Sequence, residues 1–359
     1  MKKLEDLLKG CRLQKDANGI IVQTIRNMQL VCLTTDDEFS VNRFANPLTV
    51  LGSNKAYGHL HLRNPDAHKD MIVPAQIAVI TKLQAQNHGM VKAGFIKAGS
   101  FTDFNDAGCV QGSQAGAIRE DANSQDIRFI PFGAREFIWD KANNNGHLDN
   151  IYAAIEKVGR DTGANSGKYL DQYFTKFDKE INEFIAHFER PARTIGTIVL
   201  IDGEIVAIDK FPSFEYCEQI WDCLIRDCYG AIAITEENKG KKGAKLFTEM
   251  LSKTVRENGE SDIAFLQRTL SKTKHSISSN VKERLEDAME LEFSETRDAD
   301  GSGYKSTILK TEGYIGQVIS ESSFYHLVSI VKKESFNPER FRAASEIRNK
   351  AKKQSKFEL

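Results

Sequence analysis

The sequence predicts an α+β protein with a mostly antiparallel β core and an inserted or appended group of amphipathic helices. Short β-branched and apolar runs, separated by turn residues, crowd both ends of the chain. Apolar residues recur at three- and four-residue spacing through its middle, the period of a helix face. Asp202-Gly203 joins two β-branched runs, TIGTIVLI and EIVAIDK, and a tight hairpin turn needs the positive φ that Asp-Gly supplies.

Taken in order, Leu4 to Leu8 reads as a first helix, and Ile20 to Leu33 as a strand broken near Asn27. Leu48 to Leu51 reads as a short strand turned by Gly52 and Asn54. Gly58 to Arg63, GHLHLR, alternates strictly, so Leu60 and Leu62 face one side and His59 and His61 the other. Met71 to Leu83 is apolar and β-branched, with Pro74 near its start, where a strand tolerates proline.

After Gly133 the pattern changes. Leu170, Tyr173, Phe174, Phe177, Ile181, Phe184, Ile185 and Phe188 make one face of a long helix from Lys168 to Arg190, closed by Pro191. A second helix runs from Phe214 to Cys228 with Ser213 as its cap and Trp221 on its buried stripe. A third, Ala244 to Glu257, buries Leu246, Phe247, Met250, Leu251 and Val255, and a fourth covers Ser279 to Met289. From Leu291 four strands, LEFSETRD, YKSTILK, YIGQVIS and FYHLVSIV, form a meander that completes the sheet begun at the N-terminus. The expected organisation is one large domain, 10–334, with N-terminal strands 20–131, a helical and hairpin part 132–290 and a closing meander 291–334. A basic tail, 335–359, follows it.

Composition narrows the function classes. With 49 basic against 50 acidic residues, no whole-molecule field recruits nucleic acid or an anionic membrane, so such binding needs a local patch. The tail from Asn337 is basic, a solvated helix end or a phosphate contact. Glu5 and Asp6 interrupt the place where a signal peptide needs an apolar run, and nothing approaches the roughly 18 apolar residues of a membrane span. The expectation is a soluble cytoplasmic protein. Its six cysteines include no Cys-x-x-Cys pair and read as reduced thiols.

Polar chemistry concentrates between Thr81 and Glu120. There Gly108, Gly112 and Gly116 stand four residues apart among Asp106, Cys109, Gln111 and Gln114, with Gln86 and His88 just upstream. Glycines let backbone N–H groups approach an anion, and glutamine amides reach a base or ribose; the plainer account is a glycine-rich loop between strands. Cys109 reads as a nucleophile activated by His88 or, more commonly for its type, as a small buried apolar residue. His59 and His61, with His68 or His88, suggest a metal site, against which stands the absence of a third ligand at a defining spacing. Cys217, Cys223 and Cys228 do not converge on a tetrahedral centre.

Three further motifs are incomplete. GANSGKY at 163–169 is one residue short of a phosphate loop and lacks the hydroxyl after lysine. DADGSG at 298–303 has Leu309 where a calcium loop needs glutamate. KGKKGAK at 239–245 offers lysines at a helix N-terminus, or a solvated linker.

Two stretches together carry a resemblance. Ala85-Gln86-Asn87-His88 followed by FNDAGCVQGSQAG at 104–116, and later Ile195-Gly196-Thr197 through VAIDKF at 206–211, resemble the two recurring segments of the ARPP domains, the ADP-ribosylglycohydrolase and rhodanese-phosphatase associated proteins. The resemblance covers about Thr49 to Tyr229 and departs from the family pattern at Asn87, where an acidic residue is expected, and at Ala115, where glycine is expected. It implies a mostly β domain linked by gene neighbourhood to ADP-ribose- and NAD-using systems, including conflicts between bacteria and phages. The first motif falls on Gln86, Asp106, Cys109, Gln111 and Gln114 and the second on Asp209.

The expected function is therefore binding or processing of an ADP-ribose- or NAD-type nucleotide, with no further cofactor and no metal. Gln86, His88, Gly108, Gln111, Gly112 and Gln114 are its expected ligand contacts, and Asp106, Cys109 and Asp209 its expected chemical groups. The alternatives are a non-catalytic interaction protein of an anti-phage system, whose helical insert from Tyr169 to Glu257 docks a protein partner or a second copy and whose tail contacts nucleic acid, and a metal hydrolase using His59 and His61.

Overall fold

The computed structural model describes residues 2–17, 19–36, 43–54, 58–81, 87–105, 107–110, 125–131, 133–135, 149–164, 170–238, 253–289, 291–299 and 303–333. The fold is α+β around a curled antiparallel sheet, as the sequence predicts.

Along this sheet the described strands run Lys2–Lys3, Glu292–Ala299, Tyr304–Lys310, Tyr314–Glu321, Phe324–Lys332, Glu204–Lys210, Thr194–Ile201, Met28–Thr34 and Arg12–Leu13, with Gln23–Ile25 also on Met28–Thr34. The closing meander thus joins the N-terminal strands, with the Thr194–Lys210 hairpin between them. The sheet's curvature follows from connectivity. Its two outermost strands are consecutive in the chain, joined through the short helix Leu4–Leu7. Nine strands laid flat would set those edges about 38 Å apart, and the linker spans at most about 32 Å even fully extended. The sheet curls until its edges meet across that helix.

Each face has its own core. One face, with Val31, Ile198, Ile208, Leu309 and Val328, packs on Leu4, Leu7 and the C-terminal half of the helix Asp262–Met289 through Val281, Leu285 and Ala288. The other, with Cys32, Val199, Ala207, Ile308 and Val331, packs on smaller sheets built from 51–129 and on the remaining helices. Asp202 and Gly203 turn the central hairpin at φ of 53° and 80°, as their dipeptide predicts.

Several expected elements differ in detail. The long helix ending at Arg190 is two, Leu170–Lys176 and Asp178–His187, parted at Phe177, whose φ of −107° and ψ of 12° leave the helical region. Its apolar stripe still faces inward, so periodicity alone does not register the break. Phe214–Cys223 starts on the predicted cap, Ser213 Oγ accepting the Tyr216 N–H at 3.1 Å, but then widens into a π-helical segment, Leu224–Gly230, and continues as Ala231–Asn238. The fourth helix is longer than expected, Asp262–Met289.

Most of the third predicted helix lies outside the described residues, and Val255, expected in its buried stripe, is 83% exposed and non-helical. Near Leu48 a short 3-10 turn, Pro47–Thr49, replaces the expected strand, because Asn46 Oδ1 accepts the Leu48 N–H at 2.9 Å; the strand itself is Leu51–Ser53.

Candidate functional site

The first motif sits at the edge of a four-stranded sheet ordered Gly108–Cys109, His88–Gly89, Ile77–Thr81, Gln125–Phe129. Gly89 is required for packing: a Cβ there would lie 2.9 Å from Ile130 Cδ1 and 3.0 Å from Val110 Cγ1. His88 stands directly opposite Cys109 in the register, which puts both side chains on one face of the pair. Asn54 Nδ2 approaches His88 Nδ1 at 3.3 Å, and all three residues are buried.

The chain on either side of this pairing is held by Asn87. Its Oδ1 accepts the Thr81 N–H at 2.7 Å, and its carbonyl accepts the Val110 N–H at 2.9 Å. The structure therefore brings His88, Gly108 and Cys109 together. Gln86, Asp106, Gln111, Gly112 and Gln114 lie outside the described residues.

Asp209, from the second motif, belongs to a polar row running straight across the large sheet. Cys32 lies opposite Thr197, Thr197 opposite Asp209, Asp209 opposite Ser329 and Ser329 opposite Gln317. All are buried in an otherwise apolar surface. Arg135, itself without solvent exposure, lays its guanidinium on this row: Nη1 donates to Asp209 Oδ1 at 3.1 Å and to Ser329 Oγ at 2.8 Å. Gln76 Nε2 donates to the same two acceptors at 3.2 and 2.5 Å, and the Ser329 and Tyr229 hydroxyls donate to Asp209 Oδ1 and Oδ2.

Backbone proximity makes the row possible. A Cβ on Gly196 would meet the Asp209 carbonyl oxygen at 2.2 Å, so only glycine lets these strands close. Sequence reasoning missed Arg135, Gln76, Ser329, Gln317 and Tyr229. A signal was available: Ser329 and Gln317 are single polar residues interrupting buried apolar strands, LVSIV and YIGQVIS. A polar group in such a position needs an internal partner.

A second buried carboxylate, Asp227, lies on the π-helical segment. Arg128 grips it with two bonds, Nε to Oδ2 at 3.0 Å and Nη2 to Oδ1 at 2.8 Å, while the Phe129 N–H donates to Oδ2 at 3.1 Å and Arg226 Nε to Oδ1 at 2.8 Å. Burial pushes the neighbouring Cys228 thiol well above its ordinary range, and Cys223 upward too. These thiols are poor nucleophiles at neutral pH.

His59 and His61 do not build a metal centre with each other. His59 Nδ1 pairs with Asn105 Oδ1 at 2.9 Å and His61 Nδ1 with Asp103 Oδ1 at 2.7 Å, each partner on or just beyond the adjacent strand Phe101–Phe104. Among the described residues no cluster of His, Cys, Asp and Glu could hold a metal ion. No described helix is long and apolar enough to cross a membrane.

Both motifs, with the segment that carries Arg128 and Arg135, fall within residues 81–303, which match the model of the ARG and Rhodanese-Phosphatase-superfamily-associated Protein domain, ARPP-1. The chain belongs to the ARPP-1 family. The ARPP-1 match takes in the small-sheet edge at His88 and Cys109, the Thr194–Lys210 hairpin and the π-helical segment, while the last three strands of the meander lie beyond it. The domain is associated with ADP-ribosylglycohydrolase and rhodanese-phosphatase systems. No curated protein and no solved structure matches the chain.

Proposed function

We propose that this ARPP-1 protein binds an ADP-ribose- or NAD-type nucleotide at the stretch 86–114 and serves a bacterial or phage conflict system or NAD metabolism. One observation carries the reading: the pairing of His88 with Cys109 sets Asn87 and Val110 side by side, hydrogen-bonded at 2.9 Å. Gln86 and Gln111 are the sequence neighbours of Asn87 and Val110.

In this reading backbone N–H groups at Gly108 and Gly112 take the phosphates, and Gln86, Gln111 and Gln114 take the base or ribose. Any proton transfer falls to Asp106, because both oxygens of Asp209 are already taken by Arg135, Gln76, Ser329 and Tyr229. His88 and Cys109, buried under the motif, hold its two arms together, and Asp209 anchors the sheet on which that edge rests. The family's association with ADP-ribosylglycohydrolase systems supports the ligand class.

Calorimetry with ADP-ribose and with NAD on the intact protein and on Gln111→Ala tests the proposal. Binding that weakens at least tenfold in the variant is expected. Equal binding by both proteins, or none by either, removes it.

A second reading, a non-catalytic interaction protein, is favoured by exposed apolar side chains on the N-terminal half of Asp262–Met289. Ile263, Leu266 and Leu270 repeat there at three- and four-residue spacing. Light scattering after size exclusion, on the intact chain and on one ending at Glu334, tests it. A monomer that retains no nucleic acid in either form rules it out.

A further inference from the structure

A cavity of about 340 Å³ opens on the face of the large sheet opposite the two motifs. Lys2 and Lys9 reach it from the N-terminal segment and Lys305 from the meander, against a single carboxylate, Asp6. The chain as a whole is balanced, with a formal net charge of −1, so this local excess of positive charge is not a by-product of composition. None of the three ammonium groups has an ion pair among the described residues.

Hydroxyl groups complete the wall, from Thr307, Ser320, Ser322, Ser323 and Tyr325, and Val318 is its one aliphatic side chain from the sheet. The strand register aligns part of this set. Lys305 lies opposite Ser320 and Ser320 opposite Tyr325, a row across three neighbouring strands, with Thr307 two positions from Lys305 and so on the same face. At the end of that row the chain turns through Ser322 at φ +55°, the left-handed region that glycine occupies without strain. Serine there places a hydroxyl on the cavity at some conformational cost, a pattern that gathers at ligand clamps.

We propose that this cavity binds a phosphate group, either free or carried by a small phosphorylated ligand. Lysine ammoniums supply compact charge with three donors each, and hydroxyls donate to the remaining phosphate oxygens. The volume lies at the lower end of small-molecule sites and suits one or two phosphates with a modest appendage. The site is separate from the stretch 86–114 and does not depend on the nucleotide reading.

The test is calorimetry of the intact protein with inorganic phosphate, pyrophosphate and ADP-ribose. It is run on the parent, on the double variant Lys9→Gln/Lys305→Gln, on the charge-matched control Lys272→Gln/Lys274→Gln, and on Gln111→Ala. All four lysines are exposed, so the variants keep the core intact. Saturable phosphate or pyrophosphate binding that weakens at least tenfold in the cavity variant, and persists in the control and in Gln111→Ala, is the expected result. Tighter binding of ADP-ribose that responds to the cavity variant and not to Gln111→Ala identifies a phosphorylated ligand as occupant, and moves the nucleotide from 86–114 to this cavity. No saturable binding of any of the three, or equal weakening in the cavity and control variants, overturns the proposal.

Discussion

Arg128 and Arg135 leave the same short segment of chain and each closes on a buried aspartate, yet the two pairs are built differently. Arg135 and Asp209 are both fully out of water, and the carboxylate also takes a tyrosine, a serine and a glutamine. Arg128 keeps part of its surface in solvent, stacks 4.0 Å above the Phe174 ring and shares Asp227 with Arg226 and a backbone N–H. A closed pair is costly to break, because the surviving charge has no access to water. A pair open on one side, with redundant donors, tolerates more. The second motif owes its position to the closed kind.

The largest expected effect is Asp209→Ala, which removes a buried carboxylate from the Arg135 guanidinium and costs about 3–5 kcal/mol in urea unfolding. Replacing both partners, Asp209→Leu with Arg135→Leu, should recover much of that loss. A double variant no more stable than the single one would show that the pair matters through its hydrogen-bond partners rather than its charge.

An acid scan sharpens the comparison from another side. Burial holds the His326 imidazole down to about 4, with Glu321 pulling upward and Arg43 and Lys210 downward. The unfolded chain therefore takes up its proton first as pH falls from about 6.5, and stability drops through the window from there to about 4, by up to about 3 kcal/mol. In His326→Phe that limb should flatten, and whatever acid loss remains reports the carboxylates. An unchanged limb would show that the His326 imidazole does not carry the loss.

Gly196→Ala pushes a methyl group into the Asp209 carbonyl and should cost about 1–3 kcal/mol, read as a lower unfolding midpoint. Arg128→Ala, with Arg226 and the Phe129 N–H still on Asp227, should cost about 1–2 kcal/mol. A loss equal to that of Asp209→Ala would erase the distinction between the pairs. The smallest expected effect is Cys109→Ala, about 1 kcal/mol or less. Mass-spectrometric mapping with iodoacetamide should label half-buried Cys11 in the native protein and Cys109 only after unfolding.

Much of the architecture was legible in local pattern. Strand alternation, the Asp202-Gly203 turn and the Ser213 cap are decided by neighbours a few residues apart, and these held. The π-helical widening after Cys223 was not legible, since a 3.6-residue period cannot register an inserted residue when both sides of the helix are buried. Of the candidate site, the juxtaposition of His88 and Cys109 was anticipated as a pair of residue types. Their opposition across two strands is a matter of register, which depends on the turn and packing of 90–107.

By itself the sequence determined the class of fold, the family and the two motifs, because each of these rests on side-chain type and short spacing. Only the tertiary structure decided that Asp209 faces Ser329, that Arg135 reaches them both, and that Lys2 and Lys9 share one hollow with the sequence-distant Lys305 and five hydroxyls. Those relations follow from the curl of the sheet, which the short link between its outermost strands imposes and which no local stretch of residues encodes.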